Sequence, residues 1–221
     1  MSVKHWWFFF INAACENMNR TNFQKKTDEI IAKCTAEGRV PRLLLHACCA
    51  PCSSYVLEYL SDFFEITLLY YNPNISPKTE YEYRVEEVKR LISEMNPKHK
   101  ITFVEGKYNP ETFYEAAKGL EHEPERGRRC DVCFRLRLAE AARIASEGGY
   151  DYYCTTLSIS PLKDAEKLNA IGNELSEIYN VPYLPSDFKK KGGYKRSIEL
   201  SAQHNLYRQN YCGCVFSKNN R

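Results

Sequence analysis

From Arg42 onward the chain alternates between two kinds of segment, and this alternation limits its fold more than any other feature. Short apolar runs recur at 43–46, 64–71, 101–105 and 152–157, each of a length suited to a strand, and 43–46 is suited to a buried one. Stretches of helical character separate them: 53–60 after Pro51, 80–95, 110–118 and 130–147, with 164–180 following the last run. In 80–95, Tyr81, Val85, Val88, Ile92 and Met95 fall on one helical face. Ala165, Leu168, Ile171, Leu175 and Ile178 do the same in 164–180. Asn72 to Asn74, around Pro73, closes the second strand, and Gly148 and Gly149 stop the long helix. Strands spaced by helices of this length pair in parallel through right-handed crossovers, so the expected class is α/β, a parallel sheet flanked by helices. Ligands of such sheets sit beyond the carboxyl ends of the strands. The loop 48–52, which follows the first strand, falls there.

Residues 1–40 lack this pattern and are expected to form an extension, with a polar helix at 21–37 and an aromatic run at 6–10 that docks on the rest. Gly38 and Pro41 punctuate the entry to a single α/β domain over 41–221. A chain of 221 residues can bury a substantial core without disulfide staples. Residues 1–11 carry one Lys and a brief apolar run, soon interrupted by Asn12 and Glu16, with no small-residue cleavage site. They make a poor secretory signal and are too short to span a bilayer. The expected location is the reducing cytoplasm, where thiols serve metals or redox chemistry rather than cross-links.

Ten cysteines are many for such a chain. Seven fall into three tight groups: Cys48, Cys49 and Cys52; Cys130 and Cys133; Cys212 and Cys214. Cys-x-x-Cys pairs can turn both thiolates onto one centre, and the Gly inside the Cys-x-Cys pair lets that segment bend likewise. Pro51 and the helix start beside it put Cys52 near a helix N-terminus, where the dipole favours thiolate. A single Cys-x-x-Cys is weak evidence, whereas three such groups point to metal. Four thiolates complete a closed zinc site or one cubane, which leaves three of the seven over. Cys48 and Cys49 are neighbours whose side chains diverge, so they suit two different centres. The pattern points to one iron–sulfur cluster plus a second, open metal position, with structural zinc as the alternative. A thioredoxin-like dithiol at Cys49 and Cys52 ranks below both, because it leaves the other groups unexplained. Cys15, Cys34 and Cys154 stand alone and read as small apolar residues.

Several segments together resemble the QueH family of epoxyqueuosine reductases. They are 43–54 around the first cysteine group, 71–75, 129–137 around the second, 155–161, and 207–214 around the third. The match runs in order over about residues 40–217 and excludes 1–20. The resemblance implies a HUP-like, Rossmann-related fold and a cytoplasmic tRNA-modification enzyme of queuosine biosynthesis, which reduces the wobble-position epoxide to an alkene without cobalamin. It also implies a 4Fe-4S cluster beside a mononuclear iron. Carried onto this chain, Cys49, Cys52, Cys130 and Cys133 hold the cluster, while Cys48, Cys212 and Cys214 hold the lone iron. Some members have Asp in place of Cys52.

Epoxide removal needs two electrons. The chain has no Gly-x-Gly-x-x-Gly signature for a nicotinamide or flavin, so an external donor such as ferredoxin or flavodoxin is expected. His46 ends a buried strand and reads more readily as a core residue than as a proton donor. Asp131 reads as a turn cap, Tyr207 and Tyr211 as packing, and Ser158, Ser160 and Asp164 as pocket-lining or helix-capping residues. For the anticodon region of tRNA, Lys189 to Lys191, Tyr194, Lys195, Arg196, Tyr207 and Arg208 interleave cations with aromatics. Arg126, Arg128 and Arg129 add charge near Cys130. Two other readings remain. A tRNA-thiolating or adenylating enzyme of the same fold needs a glycine-rich pyrophosphate loop where this chain has cysteines. A zinc-braced RNA-binding module needs only four thiols.

Overall fold

In a computed structural model of the chain, residues 21–218 are described. The expected aromatic run at 6–10 and Cys15 lie outside them. A helix α1 (Phe23–Ala36) precedes the sheet. The main body then runs β1 (Arg42–His46), α2 (Ala50–Leu60), β2 (Glu65–Tyr70), α3 (Lys78–Glu94), β3 (Ile101–Glu105), α4 (Pro110–Ala117), α5 (Arg128–Glu147) and β4 (Tyr152–Thr155). A 3-10 turn (Thr156–Ile159) leads to α6 (Ala165–Tyr179), followed by α7 (Gly193–Gln203) and α8 (Val215–Lys218).

The four strands pair in parallel in the order β3-β2-β1-β4, so the expected α/β class is observed. β1 is an unbroken apolar run because both faces of the sheet are covered. Leu43 and Leu45 join the core formed with Val56, Leu57 and Leu60 of α2 and Val85 and Val88 of α3. Leu44, pointing to the opposite face, joins Phe134, Leu138 and Ala141 of α5 and Leu168 and Leu175 of α6. α1 adds Ile31 to the first of these cores, and its Asp28 accepts a hydrogen bond from Tyr59 of α2 at 2.8 Å.

The chain leaves β1 toward β2 on one side and returns from β3 to β4 on the other, which creates a crevice at the carboxyl ends of β1 and β4. The backbone amide of Cys48, just past β1, donates to Thr156 Oγ1, just past β4, at 3.3 Å and ties the two loops together.

Several boundaries and faces differ from expectation. The fourth strand ends at Thr155, and 156–159 wind into the 3-10 turn, where Thr155 Oγ1 accepts from the amide of Leu157. Ile178 is 62% exposed, and Asn169 and Gly172 instead share the buried face of α6 with Leu168 and Leu175. Gly172 is there because the Tyr183 ring would lie 2.6 Å from an added Cβ. On α3, Arg84 and Leu91 occupy the buried face with Tyr81, Val85 and Val88. α7 has no counterpart among the sequence expectations. It packs through Gly193, Ser197, Leu200 and Ser201, a buried face on which Leu200 is the single large apolar residue.

Candidate metal centre

Each cysteine group is placed by a different device. Cys49 is the N-cap of α2 in extended conformation, with Pro51 in the first turn, so Cys49 and Cys52 sit at the positive end of that helix. Cys130 and Cys133 lie in the first turns of α5, where the amide of Arg126 donates to Cys130 Sγ at 3.2 Å. Cys212 and Cys214 are held by α3 and the loop before it. Ser76 donates to the Gly213 carbonyl at 3.0 Å, and Arg84 Nη1 donates to the Cys212 carbonyl at 3.3 Å. Gly213 has φ +95, a conformation open to glycine, and an added Cβ would meet Ile75 Cγ1 at 2.8 Å.

These devices bring all seven grouped cysteines to the wall of one cavity of about 350 Å³. All seven are free thiols. The sulfurs of Cys48, Cys49 and Cys52 lie within 4.8 Å of one another, close enough to share a metal ion, so the side chains of Cys48 and Cys49 converge, contrary to the divergence expected of sequence neighbours. Cys34 and Cys154 are buried elsewhere, Cys34 in α1 and Cys154 in β4 with its sulfur on the Leu184 carbonyl, as expected for apolar fillers.

Within the first and third groups the thiols hydrogen-bond to one another. A hydrogen bond to Cys49, 3.9 Å away, pushes Cys48 up to about 12, and the same bond holds Cys49 well below the usual thiol range. Hydrogen bonds to Cys48 and Cys49, with burial, push Cys52 far up. Donation from Cys214 holds Cys212 well down against burial, with the Lys163 ammonium assisting, and Cys214 rises correspondingly. Burial raises Cys133. A metal cation would take the place of these thiol protons.

The cavity also holds cations that the sequence reading missed. Arg84 and Arg137 are buried, and Lys163 leaves only 9% of its side chain exposed. Arg84 pairs with Glu80 at 2.7 Å and Lys163 with Glu125 at 3.3 Å. Arg137 stands i+4 from Cys133 on the buried face of α5, and that spacing was its legible signal.

The remaining candidates sort plainly. His46 is fully buried, with Nε2 donating to the Tyr71 carbonyl and Nδ1 accepting from Thr155 Oγ1, both at 3.0 Å. Burial holds it down to about 3, so it is a neutral structural residue. Asp131 pairs with Lys167 at 2.8 Å, and Asp164 caps α6 through the amides of Glu166 and Lys167. Ser158 is buried against Ser186, while Ser160 lines the cavity. Tyr207 packs on Tyr83 and donates its amide proton to Glu87. Tyr211 lines the cavity, its ring 5.4 Å from the Arg84 guanidinium. Within the basic stretch, Lys189, Lys191 and Arg196 are committed to ion pairs with Asp187, Asp28 and Glu58. Arg129 is buried, its Nη1 donating to the carbonyls of Leu120, Glu121 and Glu123, and is not a surface cation. Tyr194 and Arg208 reach the cavity.

A parallel sheet with a thiol-lined cavity at its switch point defines an α/β protein with a candidate metal site. Comparison with known proteins makes this specific. The family model Epoxyqueuosine reductase QueH matches residues 43–220. The chain is 44% identical over 202 residues to Epoxyqueuosine reductase QueH of Staphylococcus epidermidis, covering 90% of this chain and 85% of that protein. It is 42% identical to the Streptococcus pyogenes serotype M1 protein of that name, covering 91% and 81%, and 34% identical to that of Thermotoga maritima, covering 79% and 89%. The chain belongs to the QueH family of epoxyqueuosine reductases.

Proposed function

We propose that this protein reduces epoxyqueuosine at the wobble position of tRNA to queuosine, using iron held by the seven convergent thiols. The convergence of three distant cysteine groups on one cavity, in a chain of this family, carries the reading. In the reaction both epoxide C–O bonds break, a C=C bond forms, and the oxygen leaves as water with two electrons and two protons. The electrons come from an external donor such as ferredoxin or flavodoxin, and the tRNA substrate places the enzyme in the cytoplasm. Among the described residues no helix is long and apolar enough to cross a membrane.

The donor set fits a metal centre. The thiols form no disulfides, those of the first and third groups hydrogen-bond to one another, and cations line the same cavity. In our assignment Cys49, Cys52, Cys130 and Cys133 hold a 4Fe-4S cluster, while Cys48, Cys212 and Cys214 hold a mononuclear iron. When bound, these centres would supply single-electron transfer and Lewis acidity.

Other residues receive the nucleotide. Asn74 Oδ1 and Gln209 Oε1 belong to cavity-lining residues and are buried acceptors without a partner among the described residues. They suit the hydroxyl and N–H donors of the substrate, because a buried acceptor left unpaired is costly. Tyr194, 37% exposed, offers a ring on which the extruded base can stack. Leu162, 46% exposed, adds apolar surface. Ser160 and Tyr211 bring hydroxyls to the same wall.

The test is turnover. Anaerobic protein, given epoxyqueuosine-containing tRNA and a low-potential reductant, should yield queuosine when the digested nucleosides are read by mass. An iron-loaded protein that leaves the epoxide untouched under these conditions would refute the proposal.

A further inference from the structure

Arg137 and Arg129 are the buried guanidiniums of the cavity without a carboxylate partner among the described residues, and Arg129 spends Nη1 on the carbonyls of Leu120, Glu121 and Glu123. The Arg137 side chain is buried on α5, with Nε donating to the Cys133 carbonyl at 3.2 Å and Nη1 to Asn72 Oδ1 at 3.4 Å. Its guanidinium carbon lies 5.8 Å from the Phe134 ring centroid. Arg84 and Lys163 each pair with a carboxylate, whereas no carboxylate forms an ion pair with Arg137 among the described residues. A guanidinium stays protonated wherever it is placed, so burying one without a counter-ion is strongly unfavourable.

The cavity itself supplies the counter-charge. The thiols of Cys48, Cys130, Cys133 and Cys212 line the cavity into which this guanidinium is built. Those four sulfurs come from all three cysteine groups, and Arg137 shares their cavity.

We propose that Arg137 is the fixed counter-cation of the metal centre, offsetting thiolate charge from all three cysteine groups and raising the reduction potential of the cluster they hold. This rests on the cofactor reading above. One-electron reduction adds a negative charge to the cluster, supplied by the external donor, and a nearby positive charge favours that form. One unit charge beside the cluster, at an effective dielectric constant of about 20, changes a one-electron equilibrium by on the order of tenfold. Arg137 is a positioning residue, acting through the centre rather than on the substrate.

The experiment is an EPR-monitored redox titration of anaerobically loaded protein. The native enzyme, Arg137→Met and Arg137→Lys are compared at the potential that half-reduces the native cluster. In Arg137→Met the ratio of reduced to oxidised cluster should fall about tenfold, a negative shift of about 59 mV for one electron. Arg137→Lys keeps the charge but withdraws it toward the helix, and its ratio should fall only two- to threefold. The lysine variant decides the matter if the methionine variant does not fold. Loaded variants with the native ratio would overturn the role of Arg137 and leave the cofactor reading intact. A native protein without iron or sulfide would overturn both.

Discussion

Gly213→Ala tests the link between one backbone angle and the metal centre. Gly213 separates two cysteines of the third group and adopts φ +95. An L-residue forced into positive φ costs about 1–2 kcal/mol. The new methyl would also lie 2.8 Å from Ile75 Cγ1 and 3.1 Å from Arg84 Nη1, and overpacking of this kind adds about 1–3 kcal/mol. Together these give about 2–5 kcal/mol, which for a chain of this size lowers the unfolding midpoint by on the order of 10 °C. Arg84 is anchored by Glu80 and donates to the Cys212 carbonyl, so relief comes by moving the Cys212–Cys214 segment, and bound iron should be lost with it. Gly119→Ala is the control, because Gly119 has φ +78 with nothing within 4 Å of an added Cβ. It should show the conformational cost alone, with full iron. Thermal unfolding and iron content of anaerobic protein read both variants. A Gly213→Ala protein with native iron and a midpoint no lower than that of Gly119→Ala would refute the reasoning.

Cys130→Ala should bleach the cluster, while Cys212→Ala should keep most of the visible absorption and lose turnover; loss of the whole chromophore in Cys212→Ala would contradict the four-and-three division. Lys190 and Lys195 form no ion pair among the described residues, in contrast to Lys189, Lys191 and Arg196. Replacing each by Ala should weaken tRNA binding and flatten its salt dependence by about one unit of slope per phosphate contact, measured by titration at several salt concentrations. Burial opposes ionisation of Asp28, but hydrogen bonds from Lys191, Tyr59 and Gln24 hold its carboxyl below the ordinary 3.8. The unfolded chain therefore binds the proton first as pH falls, so the stability Asp28 contributes is complete above 3.8 and is lost as pH drops through the native value. In metal-free protein, Asp28→Asn should be less stable at neutral pH and should lose this acid dependence, followed by denaturant unfolding between about pH 5 and about pH 3.

The sheet was legible because its signals are local. Leu43 to Leu45 form a run that only a strand covered on both faces accommodates, and the spacing of Val85 and Val88 marks a helix. The cysteine groups were legible through their short spacing, and the expectation that they meet was a matter of chemistry. What the sequence left dark depends on contacts between distant segments. α7 docks through Gly193, Ser197 and Ser201, where an added Cβ on Gly193 would stand 2.1 Å from the Phe188 carbonyl, so close approach replaces apolar burial and hides the helix. Lys189, Lys191 and Arg196 resemble a free basic patch until the acids they meet, Asp187, Asp28 and Glu58, are in place. Arg137 and Lys163 become cavity cations only when α5 and the segment after β4 are brought together.

The most direct measurement is Mössbauer spectroscopy on protein loaded anaerobically with iron-57, combined with iron and sulfide analysis. The expected result is about five iron and about four sulfide per chain, with roughly four-fifths of the signal from a cubane cluster and the remainder from a single thiolate-bound iron. A colourless protein whose thiols carry only zinc, or one with those cysteines paired as disulfides, would contradict it.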